Sequence, residues 1–130
     1  MKKTILLLLL SVFIFAPFVK AAYVENQPYQ VTQPDGTIIN CFVSGDEYFN
    51  WLHDADGYTI IQAADGYFYY GIRQGELVAP SQYRVNAADP QEAGLRKWVK
   101  VSKQEYERRK SAYTINTDNT TSVDAPHLGT

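Results

Sequence analysis

Three acidic–glycine pairs are the residues in this sequence that most suggest chemistry, because each couples a carboxylate to a flexible backbone position. The alternative is that they only turn the chain. Asp tolerates the left-handed backbone conformation and Gly prefers it, and both type I′ and G1-bulge hairpin turns require it. We therefore predict that the pairs connect strands, with Asp35, Gly36, Asp56, Gly57, Asp65 and Gly66 as turn-forming residues.

Calcium is the first chemistry to test at these pairs. An EF-hand loop places oxygen ligands at positions 1, 3, 5 and 12 around a glycine at position 6. With Gly57 at position 6, Leu52 and Ala63 fall at positions 1 and 12, so two carboxylates are missing. This spacing excludes an EF-hand and leaves open a non-standard calcium site built on Asp54 and Asp56.

Catalytic residues are equally hard to assemble. The two histidines, His53 and His127, lie far apart, and the sequence has no His-Glu-x-x-His and no Gly-x-Ser-x-Gly motif. The adjacent acids Asp46 and Glu47 would face opposite sides of a strand. A Cys41/His53 dyad on neighbouring strands is conceivable, but nothing in the sequence orients it. We predict no catalytic residue, no metal ligand and no cofactor.

Cys41 is the sole cysteine, so it cannot form an internal disulfide. The simple interpretation is a small buried residue on a strand. The alternative is a thiolate that blocks the zinc of a protease in trans. Its apolar neighbours Ile39 and Phe42 would raise a thiol pKa rather than lower it, which favours the buried residue.

The spacing of turns and apolar residues predicts the elements that carry these groups. Gly57, Gly66 and Gly75 lie nine residues apart and separate short alternating segments, the pattern of an antiparallel meander. The segment 47–53 is ambiguous, since Asp46 could instead cap a short helix, and we interpret it as a strand. The predicted strands are 29–33, 37–43, 47–53, 58–62, 67–72 and 76–78.

A C-terminal helix follows the predicted sheet. Ser102 and Glu105 have the spacing of a capping box, with Val101 and Tyr106 at the positions of a hydrophobic staple. The predicted helix covers 103–113, and its basic residues 108–110 suit the negative end of the helix dipole. The fold class is mainly β (α+β): antiparallel hairpins and a meander with one C-terminal helix, preceded by a signal peptide.

Both ends of the chain have the composition of processing segments. Residues 1–21 combine a basic start, an apolar run and small residues before Ala22, which predicts a signal peptide rather than a membrane anchor. Removing Lys2, Lys3 and Lys20 leaves 9 basic residues against 14 acids, a net charge of −5 (9 − 14), which argues against nucleic-acid binding. Residues 114–130 are polar and predict a flexible linker.

Aromatic residues crowd the middle of the predicted sheet. Strand alternation places Phe68 and Tyr70 on one face and Tyr67 and Tyr69 on the other. One face should line the core, and the other should be a tyrosine-rich docking surface unless the C-terminal helix covers it. The candidate partner-binding residues are Tyr48, Trp51, Tyr58, Tyr67 and Tyr69.

The motif Pro34-Asp35-Gly36-Thr37, followed by Gly45-Asp46-Glu47-Tyr48 and Asp56-Gly57-Tyr58-Thr59, resembles the N-terminal pro-region of secreted bacterial zinc metallopeptidases of the immune inhibitor A type, in the form common among Bacteroidetes. The aromatic run 65–70 and the tail 125–130 fit the same pattern. The family's zinc-binding His-Glu-x-x-His is absent, so no catalytic residue carries over. The resemblance implies a pro-region without activity of its own.

Three functions follow as expectations. The first is a folding or latency module, with a pro-region-like domain at 22–113 and a linker at 114–130 leading toward a catalytic domain that it binds in cis or in trans. The second is a stand-alone exported module that binds a glycan or a surface protein. The third is a calcium-stabilised β-domain. All three place the protein in the periplasm, at the cell surface or outside the cell, with no stable membrane span after cleavage of the signal peptide.

Overall fold

The computed structural model describes residues 22–119. The predicted signal peptide at 1–21, the predicted linker beyond 119 and His127 lie outside this range. Within it, six antiparallel strands form one open sheet whose spatial order is the chain order, and a helix, α1, follows. The predicted mainly β meander with one C-terminal helix is therefore confirmed. The elements are β1 (Val24–Thr32), β2 (Ile38–Gly45), β3 (Asn50–His53), β4 (Thr59–Gln62), β5 (Phe68–Gln74), β6 (Leu77–Arg84) and α1 (Lys103–Asn119).

The segment after β2 is a turn before it is a strand. Asp46 Oδ1 accepts hydrogen bonds from the backbone N–H groups of Tyr48 (2.9 Å) and Phe49 (3.1 Å). Side chains that bond the backbone two and three residues ahead stabilise turns. The interpretation of this segment as a strand thus holds from Asn50 onward, and the prediction that it begins at residue 47 was wrong.

The last strand is longer than the predicted 76–78, because β6 runs through Pro80 to Arg84. Proline lacks the N–H that a ladder needs, so it is tolerated mainly on edge strands. β6 is such an edge, since its neighbour on one side is β5 and the order of the sheet ends there. An irregularity between Tyr69 and Gly71 accommodates the pairing.

The two faces of the sheet are buried in different ways. Cross-strand partners share a face, so the pairs Leu52–Ile60 and Ile60–Tyr70 place these residues on the core side. The core cluster is Ile39, Cys41, Tyr58, Ile60, Phe68, Tyr70 and Val85. On the opposite face, the segment before α1 crosses the sheet, where Thr59 Oγ1 donates to the Val99 carbonyl at 2.6 Å.

Gln33 ties the β1–β2 turn to the far strands. Its side-chain oxygen accepts from Phe68 N–H at 2.8 Å, and its Nε2 lies 3.5 Å from the Val85 carbonyl. Val85 N–H in turn donates to the Phe68 carbonyl at 3.0 Å. Gln33 is buried, and its amide satisfies backbone groups that would otherwise be costly to bury.

Helix α1 begins at the predicted residue but ends at Asn119, beyond the predicted end at residue 113. The first part of the predicted linker is therefore helical. Its last turn carries no basic residue, so Arg108, Arg109 and Lys110 do not act on the C-terminal end of the dipole as expected. Within residues 22–119, no helix has both the length and the apolarity that crossing a bilayer requires.

Only one of the two hydrogen bonds of the predicted capping box forms. Ser102 Oγ accepts from Glu105 N–H at 3.0 Å, as the motif requires. The return bond is missing: Ser102 N–H donates to the Glu76 carbonyl at 2.9 Å, and the Glu105 carboxylate binds Arg108 and Arg109 instead. These ion pairs lower the pKa of Glu105 to about 2, the Arg108 hydrogen bonds being the largest cause.

Candidate functional site

Two of the acidic–glycine pairs build the same corner. At both, the Asp side chain accepts from the N–H two residues ahead: Thr37 N–H to Asp35 Oδ1 and Tyr67 N–H to Asp65 Oδ1, each 2.9 Å. The glycines that follow have φ of +87° and +85°. This is a three-residue hairpin loop with its last residue left-handed. Both carboxylates are thus used by the turns.

The third corner differs in which carboxylate caps it. Asp54 Oδ1, and not Asp56, accepts from the N–H groups of Asp56 (3.0 Å) and Tyr58 (2.9 Å). Gly57 has φ of +93°, and Trp98 packs directly against it, with Trp98 N–H donating to the Gly57 carbonyl at 2.7 Å. Asp56 lies in the turn as predicted, but Asp54 supplies the hydrogen bonds.

Ser44 and His53 form a buried pair that the sequence reading missed. His53 Nδ1 lies 2.8 Å from the Asp54 carbonyl, which can only accept, so Nδ1 carries the proton. Nε2 is then the acceptor for the Ser44 hydroxyl at 2.8 Å. Ser44 Oγ also accepts from Asn26 N–H at 2.9 Å.

A serine bonded to an oriented imidazole is the arrangement of an activated nucleophile. Here Ser44 is 2% exposed and His53 1% exposed, and the Trp98 ring lies 5.3 Å from the imidazole. No substrate carbonyl can reach Ser44 Oγ in this packing. The pair is a buried hydrogen-bond network that fixes β2 against β3. The sequence signal was weak, because Ser44 and His53 are diagonal neighbours rather than direct cross-strand partners.

Cys41 lies on the other face of the sheet from His53. His53 pairs with Phe42, so Cys41, one residue away, points to the core. The Cys41/His53 dyad, which the sequence left conceivable without support, does not form. Cys41 is buried, and burial raises the pKa of its thiol. The buried small residue is confirmed, and the zinc-blocking thiolate would have no access to a metal.

For metals, the described range 22–119 holds no group of three or more His, Cys, Asp or Glu side chains that could bind an ion. Asp54, one of the two residues of the open calcium hypothesis, already accepts two backbone hydrogen bonds through Oδ1.

The structure divides the candidate partner-binding aromatics. Tyr58 lies in the core, 5% exposed, because it precedes Ile60 by two residues and shares its face of the sheet. Tyr67 and Tyr69 are half-buried, and each is held by its own partner. The Arg84 guanidinium lies 4.6 Å above the Tyr67 ring. The Tyr69 hydroxyl donates to Asp65 Oδ2 at 2.6 Å, which lowers the pKa of Asp65 and raises the pKa of Tyr69.

Helix α1 packs on Tyr48, whereas the alternative expectation placed it over the face of Tyr67 and Tyr69. The Tyr48 ring makes edge contacts with Tyr106 and Tyr113, at centroid distances of 6.0 and 5.5 Å. The Tyr106 hydroxyl donates a hydrogen bond to Asp46 Oδ2 at 2.6 Å. This hydrogen bond raises the pKa of Tyr106 to about 12. Burial raises the pKa of Asp46, but this hydrogen bond and those from the backbone of residues 48 and 49 outweigh it and leave the pKa lowered.

Five aromatic rings within residues 22–119 have a cation less than 6 Å from the ring centre, the range of a cation–π contact. The sequence predicted none of these contacts, and gave Arg109 and Lys110 only a role at the helix dipole, because each ring and its cation are brought together only by the fold. The pairs are Arg84–Tyr67, Lys97–Tyr58, Lys100–Trp51, Arg109–Phe49 and Lys110–Tyr48.

A cleft opens where β3 and β4 separate. Their register contains only the pairs Leu52–Ile60 and His53–Thr59, although β3 reaches back to Asn50 and β4 on to Gln62. Hydrogen-bonded pairs alternate along an antiparallel ladder. Continued pairing would therefore join Asn50 to Gln62, and the separation leaves their backbone groups facing the gap.

This β3–β4 cleft has a volume of about 860 Å³. Most of the residues that line it are apolar, Asn50 and Gln62 add polar groups, and Arg109 of α1 adds a guanidinium at one side. The apolar residues that line it include Trp51, Leu52, Ile60, Ile61, Phe68 and Val78. Strand edges beside an apolar wall can pair with an added extended segment.

Comparison of the chain with family models, with curated proteins and with solved structures finds no match.

Proposed function

We propose that this chain is the non-catalytic N-terminal pro-region of a secreted zinc metallopeptidase of the immune inhibitor A type, acting as a folding or latency module. The resemblance of the Asp-Gly motifs supplies the family. The structural observation that carries the proposal is the β3–β4 cleft, in which unpaired strand backbone lies beside apolar side chains. A module of this kind is exported together with its protease and binds the catalytic domain in cis or in trans.

The cleft suits an extended segment of the catalytic domain. The backbone groups of Asn50 and Gln62 offer hydrogen bonds, while Ile61 and Phe68 offer apolar contact to alternate side chains of the added segment. Arg109 at the wall favours an acidic or polar residue in that segment. Binding in the cleft would bury apolar side chains of the segment. A pro-region that binds only the folded protease in this way shifts the folding equilibrium of the protease toward the folded state.

The state of the reactive side chains supports a non-catalytic role. Cys41, Ser44 and His53 are all buried, and Ser44 and His53 are engaged in structural hydrogen bonds. Binding through the cleft requires none of them to be accessible.

The test combines the exported chain with the mature catalytic domain of a metallopeptidase of this type. We expect saturable binding, inhibition of the mature protease or a higher yield of active protease on refolding. Ile61→Asp, which places a charge in the cleft, should weaken each effect. Ile38→Asp, an exposed apolar residue of β2 outside the cleft, is the matched control and should leave them unchanged.

Absence of binding, inhibition and refolding assistance would contradict the proposal. Binding of the chain to cell-surface polysaccharide in the same assays, without effect on the protease, would favour the stand-alone glycan-binding module. Mass spectrometry of the exported protein gives a further check, since cleavage after Ala21 predicts an N-terminus at Ala22.

A further inference from the structure

A second, smaller cavity lies between the start of α1 and the aromatic residues of β3. Its volume is about 270 Å³, slightly below the roughly 300–1,000 Å³ of sites for drug-sized ligands. A single amino-acid side chain is the scale of group that it fits. Phe49 and Trp51, stacked with their rings 11° from parallel, and Tyr106 form its aromatic wall.

Positive charge surrounds the mouth of this aromatic cavity. Lys100 and Lys103 both line it, and the Lys100 ammonium lies 4.4 Å from the centre of the Trp51 ring. The first turn of α1 adds the positive end of the helix dipole. In this first turn, the N–H of Glu105 donates to Ser102 Oγ. The N–H groups of Lys103 and Gln104 have no acceptor among the described residues.

One acid also lines the cavity, and both of its carboxylate oxygens already accept hydrogen bonds within the protein. Asp46 accepts from Tyr48 N–H and Phe49 N–H through Oδ1 and from the Tyr106 hydroxyl through Oδ2. Two lysines and a helix N-terminus therefore leave an excess of positive potential beside an apolar wall. This combination is complementary to an apolar group that carries a negative charge.

The Trp51 ring in the cavity wall carries a buried donor. Trp51 is 8% exposed and lines the cavity, and its Nε1–H is buried without a hydrogen-bond partner among the described residues. Buried indole N–H groups normally have an acceptor. The Trp51 indole N–H is therefore a sensitive NMR reporter of changes in this wall.

We propose that this aromatic cavity binds the C-terminal residue of a polypeptide, with an apolar or aromatic side chain against Phe49 and Trp51 and the terminal carboxylate between Lys100, Lys103 and the start of α1. Capture of a terminal carboxylate by backbone N–H groups is a known mode of peptide recognition. The inference goes beyond the proposed function and does not depend on it, because the cavity, although it shares Phe49 and Trp51 with the cleft, includes no residue of β4.

The test uses the chain alone with small probes, followed by NMR of the indole N–H signals. N-acetylphenylalanine should shift the Trp51 indole signal saturably in the millimolar range and leave the signal of Trp98, which lies outside the cavity, unchanged. Its C-terminal amide, which lacks the charge, should bind up to about fivefold more weakly, the effect of one partly exposed ion pair. Added salt should weaken binding of the acid and not of the amide.

Variants locate the carboxylate. Lys100→Gln and Lys103→Gln should each weaken binding of the acid by up to about fivefold. Lys97→Gln, which removes an exposed lysine outside the cavity, is the matched control and should have no effect. Equal binding of acid and amide, an equal loss in the Lys97 variant, or no saturable shift of the Trp51 signal would overturn the proposal.

A further probe separates a terminal carboxylate from an acidic side chain. The peptide N-acetyl-Phe-Glu-amide carries its charge on the side chain and should bind more weakly than N-acetylphenylalanine. Binding of this peptide as tightly as the free acid would overturn the assignment to a C-terminus. None of these measurements involves the protease, so their failure and the failure of the proposed pro-region function are distinguishable.

Discussion

The Tyr106 hydroxyl donates a 2.6 Å hydrogen bond to Asp46 Oδ2 across 60 residues of sequence. Asp46 organises the turn before β3 through its other oxygen, so one carboxylate fixes both the turn and the position of α1. Helix α1 in turn places Arg109 in the wall of the β3–β4 cleft and Lys103 at the aromatic cavity. The geometry of both candidate sites depends on this contact.

Tyr106→Phe should therefore lower the thermal midpoint, by on the order of 5 °C for a domain of this size, because the Asp46 carboxylate loses a charge-assisted donor. The dependence of stability on pH in the alkaline range should change as well. The hydrogen bond raises the pKa of Tyr106 to about 12. The stabilisation is complete below pH 10 and is lost as the pH rises through 12.

Thermal melts at neutral pH and between pH 10 and 12 measure both effects. Tyr29→Phe removes the hydroxyl of an exposed tyrosine in β1 and serves as the control, with no change expected. A Tyr106→Phe midpoint equal to that of the wild type would show that the contact does not hold the helix.

Ser44→Ala should reduce the free energy of unfolding by about 1–3 kcal/mol, because it leaves His53 Nε2 without a donor and Asn26 N–H without an acceptor. Urea unfolding measures the loss. Ser111→Ala, on the exposed surface of α1, should stay within about 0.5 kcal/mol of the wild type. Covalent labelling of Ser44 by a fluorophosphonate probe would contradict the structural assignment of the Ser44–His53 pair.

Comparison of Gly57→Ala with Gly36→Ala separates two destabilising effects, backbone strain and overpacking. Both glycines have positive φ, of +93° and +87°, so each alanine costs about 1–2 kcal/mol in backbone conformation. A Cβ at Gly57 would also lie 2.6 Å from Trp98 Cζ2, whereas a Cβ at Gly36 meets nothing within 4 Å. Overpacking adds about 1–3 kcal/mol.

Chemical denaturation should therefore show Gly57→Ala as the less stable of the two variants. Equal losses would mean that Trp98 moves away without cost. The Trp98 indole fluorescence, compared between the two variants, reports whether it does.

Glu105→Gln should weaken stability at neutral pH and flatten its acid dependence. Ion pairs with Arg108 and Arg109 hold the pKa of Glu105 at about 2, below the ordinary value of 4.5. The stabilisation is complete above pH 4.5 and is lost as the pH falls through 2. Urea unfolding at several pH values in this window should show a smaller loss in the variant than in the wild type.

Glu107→Gln, an exposed acid on the same helix, should retain the wild-type acid dependence. Parallel acid profiles of the wild type and Glu105→Gln would contradict the role of these ion pairs.

Turn chemistry in the sequence determined the meander. The hydrogen bonds of a hairpin corner join residues at most four positions apart, such as Asp35 to Thr37 and Asp54 to Tyr58. Glycine positions and strand alternation therefore predict corners and strands from local physics alone. The start of α1 followed in the same way from Ser102 and its bond to Glu105 N–H.

Local sequence signals predicted the end of α1 and its capping box only in part. The helix continues to Asn119 through residues of modest helix propensity, since nothing in residues 114–119 breaks it. Glu105 completes two ion pairs rather than the capping box, because its arginine partners lie within one turn on the same helix.

The candidate sites were decided only by tertiary structure. Tyr58 is buried, Trp51 lines a cavity, and β3 separates from β4. Contacts between segments distant in sequence, such as the Thr59–Val99 hydrogen bond across 40 residues, determine which parts of the sheet are covered. Residue type and spacing carry no information about which segment crosses which face of a sheet. By itself the sequence determined where this chain turns; the tertiary structure decided which aromatic rings are covered and which cavities remain, because burial depends on partners that periodicity cannot name.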